Sequence, residues 1–416
     1  IAQKESPTPV SMKNTSVYNF DDPEWWDHAV FYEIFVRSFY DSDGDGIGDL
    51  NGITEKLDYL NDGNPETTTD LGITAIWLMP IYPSPSYHGY DVTDYYSINP
   101  EYGTIEDFEE LLGEAHERGI HVIVDFVVNH TSIEHPWFIA SKDIESEYHD
   151  WYIWSETDPG YLGPWGEKVW FPVNSKYYYG VFWEGMPDLN YENEDVTAEI
   201  RKAASFWIND MGVDGFRIDG AKHLIEDGKV QTNSKATYAW FTDFLAEIKS
   251  WNPRAMTVGE VWDESKIVLK YLDSKDFDMT FNFNLATAIV EGVSSGQGKS
   301  LSSSVNVESF LFKDYSIGTF LSNHDMERVM SQLGNKPELA KNAATILFTI
   351  PGTPFIYYGE EIGMTGKKPD EMIRTPMQWS TEENGGFTTG SAWERVNADF
   401  PTTNAAVEST DENSIL

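Results

Sequence analysis

Short apolar runs alternate with amphipathic stretches along most of the chain. Eight runs read as strands: 30–37 (VFYEIFVR), 75–80 (AIWLMP), 121–127 (HVIVDFV), 215–219 (GFRID), 256–262 (MTVGEVW), 279–284 (MTFNFN), 317–325 (IGTFLSNHD) and 355–361 (FIYYGEE). Helical patterns lie between them. In 105–119 the apolar residues Phe108, Leu111, Leu112 and Ala115 fall on one helical face, and 196–212 and 237–251 behave likewise. The pattern over 338–352 ends at Pro351 and Gly352, a stop signal. Eight strands with intervening helices predict an α/β fold, a (β/α)8 TIM barrel. A doubly wound open sheet fits less well. No glycine-rich phosphate loop follows the first strand, and the candidate chemistry is spread over several strand ends.

Two stretches break the alternation. About 65 residues separate the third strand from the next helix, too many for a structureless loop in a compact domain. They include Trp137, Trp151, Trp154, Trp165, Trp170 and Trp183. This stretch, 131–195, reads as an inserted domain B overhanging the site. After Tyr358 the chain runs to Leu416 without a convincing eighth helix. The expected organisation is a polar tail over 1–20, a first barrel part over 21–130, the insert, and a second barrel part over 196–416 that stops near the last helix.

The composition limits the partners. The net charge of −41 argues against nucleic acid and anionic membranes, whose phosphates would be repelled. A neutral polymer meets no such repulsion. The 15 Trp, 22 Tyr and 23 Phe supply either core volume or flat platforms for the apolar faces of sugar rings. With no cysteine, disulfides and thiolate metal sites are excluded. No apolar run is long enough for a membrane span. The chain starts at Ile1 and opens with a polar stretch, which reads as the mature end of an exported protein, and a secreted or extracytoplasmic location is expected.

Candidate chemistry gathers at the strand ends. Side chains alternate along a strand, so Arg217 and Asp219 share one face of 215–219, while Phe216 and Ile218 share the other. A guanidinium beside a carboxylate favours the ionised, nucleophilic form. Two further acids, Glu260 and Asp325, also sit where apolar runs end. In DFVVNH, Asp125 is placed to brace Arg217 across the barrel, Asn129 offers an oxygen to a metal, and His130 a donor to a sugar hydroxyl. In YHGYDVTDYY, Tyr90 can stack on a sugar face and His88 can donate to a hydroxyl. The loop DSDGDGIGD places Asp41, Asp43, Asp45 and Asp49 among glycines and, with the Ile47 carbonyl, suits Ca²⁺. Gly52 stands where an EF-hand has its final Glu, so the loop is not a full EF-hand; a metal-free acidic turn is the alternative.

DFVVNH, GFRIDGAKH, GEVW and FLSNHD, in that order, resemble the four signature regions of the α-amylase family of glycoside hydrolases, and MPDLN resembles its fifth. The resemblance runs from Trp26 to about Trp379. It implies the barrel, the domain B insert and retaining cleavage of α-glucosidic bonds, with Asp219 as nucleophile, Glu260 as general acid and base, and Asp325 as stabiliser of the transition state. It places Arg217, His130 and His324 on the sugar at the cleavage subsite, with Tyr90 stacking beneath it and Lys222 and His223 on the leaving-group side; His88, Asp125 and Arg374 (in IRTPMQW) complete the expected substrate-binding set. The MPDLN form resembles the subgroup intermediate between oligo-1,6-glucosidases and neopullulanases, which includes calcium-binding bacterial α-amylases. The Lys222-His223 pair, and His88 where many exo-acting relatives carry Asp-Asn, favour an endo-acting α-amylase on starch and maltooligosaccharides. A 4-α-glucanotransferase or an α-glucosidase of the oligo-1,6 type would use the same acids. A non-catalytic amylase-like subunit is disfavoured because all three acids are present. The family's C-terminal β-sandwich is not expected within these residues. A companion chain carrying it is the one protein partner this reading admits; without it a monomer is expected.

Overall fold

All eight apolar runs form strands, each shorter than its run, in a computed structural model that describes residues 22–416. The tail expected over 1–20 lies outside the described residues. In chain order the strands are β1 (Phe31–Ile34), β2 (Ala75–Leu78), β3 (His121–Phe126), β4 (Trp154–Ser155), β5 (Trp170–Val173), β6 (Lys176–Tyr179), β7 (Gly215–Ile218), β8 (Met256–Gly259), β9 (Met279–Phe281), β10 (Ser316–Thr319) and β11 (Thr353–Tyr357). Eight of them close a parallel barrel in the order β1, β2, β3, β7, β8, β9, β10, β11 and back to β1. The expected (β/α)8 barrel is therefore present.

The trimmed ends matter for function. The first run stops at Ile34 and turns into a short helix, Val36–Phe39. The β10 strand ends at Thr319, so residues 320–325, which carry His324 and Asp325, form a loop rather than a strand end.

Strand alternation divides the barrel into two layers of packing. Phe31, Trp77, Ile123, Met256, Val258, Met279, Phe281 and Phe355 form one buried cluster. Their neighbours of opposite parity, including Tyr32, Ile76, Val122, Val124, Phe216 and Ile218, belong to the larger cluster that includes the helices. Full burial of each such side chain contributes roughly 1.5–3 kcal/mol. Above the inner apolar layer the same parity presents Glu33, Asp125 and Arg217, all buried. Those groups cost desolvation and need partners.

The helix Ile105–Glu117 buries the four residues its spacing predicts and starts with a capping box between Thr104 and Asp107. Between β3 and β7 the chain builds a three-stranded antiparallel sheet in the order β4, β6, β5. Val169, Trp170, Tyr179 and Val181 give it a small core of its own. The backbone bridge His130↔Asp188 ties this excursion to the segment just after β3, and Tyr152↔Leu189 closes the excursion on itself. The chain returns through the helix Glu194–Ser205. After β11, the α-helices among the described residues are the short Asp370–Ile373 and Ala405–Glu408. No described helix is long and apolar enough to cross a membrane.

Candidate active site

Arg217 is the hub of the site. It projects from β7 into the barrel mouth and is fully buried. Its Nη1 donates to Asp125 at 2.9 Å and to Asp219 at 2.7 Å, while Nη2 lies 2.9 Å from Glu260 Oε2. Asp125 does brace Arg217, but from the neighbouring strand and not from across the barrel. The insert removes three strands from the sheet order, so β3 pairs with β7 and Asp125 stands opposite Arg217 in register. Trp77 Nε1 and the Tyr90 hydroxyl also donate to Asp125, at 3.3 and 3.0 Å.

Asp219 and Glu260 each follow directly on a barrel strand, β7 and β8. Their side chains are 13% exposed, and that of Asp325 is 37% exposed, so a substrate can reach all three. Burial raises the Glu260 carboxyl, Arg217 opposes the rise, and the negative charges of Asp219 and Asp325 add to it. Asp219 is also raised by burial, with Arg217 pulling the other way. Thus Arg217 restrains the Asp219 shift without fully cancelling desolvation. Asp325 differs. Against burial, His324 and Arg374 hold it well below the usual carboxylate range. Arg374 Nη2 lies 2.9 Å from Asp325 Oδ1, and its Nε donates to the His324 carbonyl at 2.9 Å.

Gly220 fixes the turn beyond Asp219. Its φ of +52° is left-handed, and a Cβ there would lie 2.7 Å from the Phe182 ring. In that conformation its N–H donates to Glu260 Oε2 at 2.9 Å. The glycine immediately after the acid was the available sign of this donor.

The other expected sugar contacts are placed unequally. The Tyr90 ring lies between His88 and His324, with centroids 6.1 and 5.5 Å away. His88 Nδ1 accepts the Tyr90 N–H at 3.1 Å. His130 is buried, its Nε2 makes no hydrogen bond within the described residues, and burial lowers its pKa to about 4. Its ring is therefore neutral near pH 7. Lys222 is held by the Trp262 carbonyl, at 2.6 Å, and faces Asp263. His223 is enclosed by Phe182 and Trp165 and bonds the Gln231 carbonyl at 3.1 Å. Exposed aromatics surround this side: Trp262, two residues after Glu260, is 48% exposed, and Trp165 is 53% exposed. Packing alone gives no reason to leave such large rings in water. The sequence reading also missed Glu33, whose Oε1 lies 2.5 Å from His324 Nδ1. Its sign was a carboxylate of Phe31 parity in an otherwise apolar strand.

The acidic loop brings Asp41, Asp43 and Asp49 within reach of one ion; Asp45 stands outside that group and accepts the Ile47 N–H at 2.8 Å. Three carboxylates with only oxygen donors fit a hard cation. The loop is clasped by residues 388–393. Thr388 donates to Asp41, the Trp393 N–H donates to the Gly46 carbonyl at 2.9 Å, and a Cβ on Gly46 would strike the Ser391 carbonyl. Near the insert, Asn129 Oδ1 and Asp188 Oδ2 are buried without a hydrogen bond within the described residues. Burial pushes the Asp188 carboxyl up to about 8.

The family model for the alpha amylase catalytic domain matches residues 33–416. The chain belongs to the α-amylase family. It is 45% identical over 380 residues to alpha-amylase 3 of Dictyoglomus thermophilum, covering 90% of this chain and 72% of that protein. Among solved structures, the alpha-amylase from H. orenii superposes with a TM-score of 0.87 at 48% identity, covering 94% of this chain and 80% of that one. A 4-alpha-glucanotransferase of Thermotoga neapolitana is 35% identical over 395 residues, covering 93% and 84%. As a member of the α-amylase family, the protein is an enzyme of the glycoside hydrolase type. Its relatives divide between hydrolysis and transfer.

Proposed function

We propose that this enzyme is an endo-acting α-amylase, a retaining hydrolase of internal α-1,4-glucosidic bonds in starch and maltooligosaccharides. The shared guanidinium carries the reading. Asp219 and Glu260 are bound to two Nη groups of one Arg217. That favours the short carboxyl separation of retaining enzymes, about 5–5.5 Å, over the 6.5–9.5 Å or so of inverting ones. In this reading Asp219 attacks the anomeric carbon. Glu260, raised by burial, gives its proton to the leaving oxygen and later takes one from water. Asp325, kept ionised by His324 and Arg374, opposes the positive charge that develops on the sugar ring. His130, placed at the cleavage subsite by the resemblance, hydrogen-bonds a sugar hydroxyl.

Chain-internal cleavage needs binding surface on both sides of the scissile bond. Trp262 and Trp165 supply exposed rings on the Lys222-His223 side. A polymer substrate too large to cross a membrane suits the expected extracytoplasmic location. Asp41, Asp43 and Asp49 would hold Ca²⁺, which neutralises their mutual repulsion and stabilises the fold. Glucanotransfer is the second reading, favoured by the same exposed rings, since an acceptor sugar must bind where the leaving group was.

A size-resolved time course on maltoheptaose and soluble starch tests this. Falling viscosity with accumulating mid-length products supports endo-hydrolysis. Products longer than maltoheptaose without new reducing ends mean transfer. Glucose alone from the first time point overturns the endo reading. Asp219→Asn is expected to abolish turnover while sparing the fold.

A further inference from the structure

Glu33 lies under the catalytic loop, and the proposed chemistry assigns it no role. It comes from the middle of β1, is 2% exposed, and stands opposite Trp77 and Tyr357 on the neighbouring strands. Its Oε1 meets His324 Nδ1 at 2.5 Å. The other ring nitrogen, Nε2, faces Asp325 Oδ2 at 3.2 Å and the Tyr90 hydroxyl at 2.7 Å. His324 is itself buried.

Counting donors decides the state of this ring. Tyr90 has one hydroxyl hydrogen, and Asp125, when ionised against Arg217, takes it at 3.0 Å. In that state the Tyr90 oxygen accepts from His324 Nε2. Asp325 at 3.2 Å also requires a donor on Nε2. Glu33 requires a donor on Nδ1. Only an imidazolium donates from both nitrogens.

We propose that Glu33 is a positioning residue that keeps His324 doubly protonated and so fixes Asp325 as a correctly aimed carboxylate. Without Glu33, Nδ1 would lose the charge that favours its proton. The ring would be free to release one proton, and its Nε2 could then present a lone pair to Asp325. The groups facing His324 are Glu33 from β1, Trp77 from β2, Tyr90 from the loop after β2, Asp125 from β3, Arg217 and Asp219 at β7, Asp325 on its own loop, and Arg374 beyond β11. Arg374 and Arg217 disfavour the imidazolium, so the nearby anions must outweigh them. Consistent with this, and despite burial, Asp325 and Glu33 raise His324 to about 10.

The inference rests on the proposed role of Asp325. Its first test needs no substrate, so failure of the endo-hydrolase reading leaves it measurable. Nitrogen-15 spectra of histidine-labelled enzyme, with the His324 signals assigned by their loss in His324→Asn, report both ring nitrogens. Two protonated nitrogens from pH 6 to 8.5 are expected; a neutral ring at pH 7 overturns the proposal. The second test follows the His324 ring titration in the same nitrogen-15 spectra of Glu33→Gln and Glu33→Asp. Glu33→Gln is expected to move the loss of the second ring proton down by about one pH unit or more, the usual effect of losing a close opposite charge. Glu33→Asp keeps that charge and is expected to hold the titration near its original position. A Glu33→Gln ring titration that matches the original would mean that Glu33 only fills space, and the proposal would fail.

Discussion

Replacing Arg217 with methionine removes the cation from among three acids while keeping most of the side-chain volume. Asp125, Asp219 and Glu260 would then share a buried site with no guanidinium. Removing one partner of a buried pair typically costs about 3–5 kcal/mol, because the remaining charge is stranded. Proton uptake is how the site relieves this. Burial already pushes Asp125 up to about 7 with Arg217 in place. Without Arg217 all three carboxyls rise further, and the folded variant holds more protons than the unfolded chain does. Stability then falls as pH rises, by about 1.4 kcal/mol per pH unit for each extra proton held. The sign follows from acids whose folded pKa is raised: the penalty is small near the unfolded carboxyl pKa and grows towards the folded one. The difference between variant and parent, measured by urea unfolding at pH 5.5 and 7.5, is therefore expected to widen by up to about 2.7 kcal/mol for each proton that the variant holds beyond the parent across that range. A difference that is the same at both pH values would refute the hub reading of Arg217.

Four further outcomes are expected. Glu260→Gln should lower kcat on oligosaccharides by about 10²–10⁴-fold without lowering the melting temperature, the usual size of a lost general acid. Gly220→Ala should destabilise by about 1–2 kcal/mol, because its φ of +52° disfavours a Cβ, and should reduce activity by shifting the donor to Glu260; an active, unchanged enzyme would show that the turn adapts. Chelation should lower the melting temperature, and Ca²⁺ should restore it; an ion at 100 times its Kd contributes about 2.7 kcal/mol. At the amino ends of β3 and β7, Asp214 lies 2.7 Å from His116 and 3.0 Å from His121. His116 is raised by this contact against burial, so its stabilisation is full below the ordinary histidine pKa and is lost as pH rises through the folded value. Asp214→Asn should therefore destabilise more at pH 6 than at pH 9, read by denaturant midpoints.

The barrel was legible because its strands are short apolar runs, and the three acids were legible because they follow those runs directly. What escaped depended on which strands meet. The braced pair Asp125 and Arg217 was visible, but its adjacency was not, since it requires knowing that the insert leaves the sheet. Glu33 escaped for a stronger reason. Its partner His324 lies 291 residues away, on a loop that the sequence reading assigned to a strand. Lys222 and His223 were placed beside the cleft by resemblance, yet the fold uses much of their polarity internally, on Trp262 and Gln231 carbonyls. Asp45 shows the limit of counting carboxylates. All four carboxylates accept N–H groups of the turn, so it is the path of the backbone, and not the number of acids, that sets which three converge.

The clasp over the acidic loop also sets an order of events during synthesis. Thr388 reaches Asp41 across 347 residues, and Trp393 reaches Ser38 across 355. At ordinary translation speeds the ribosome needs roughly 20–70 s to make the intervening chain. For most of that interval the acidic turn has left the exit tunnel, and the residues that close over it do not yet exist. Barrel closure between β1 and β11 faces the same wait. The nascent chain therefore carries this four-aspartate turn unsheltered for longer than most of its helices take to pack. Early capture of a cation from the surroundings would shield that segment until the last strand arrives.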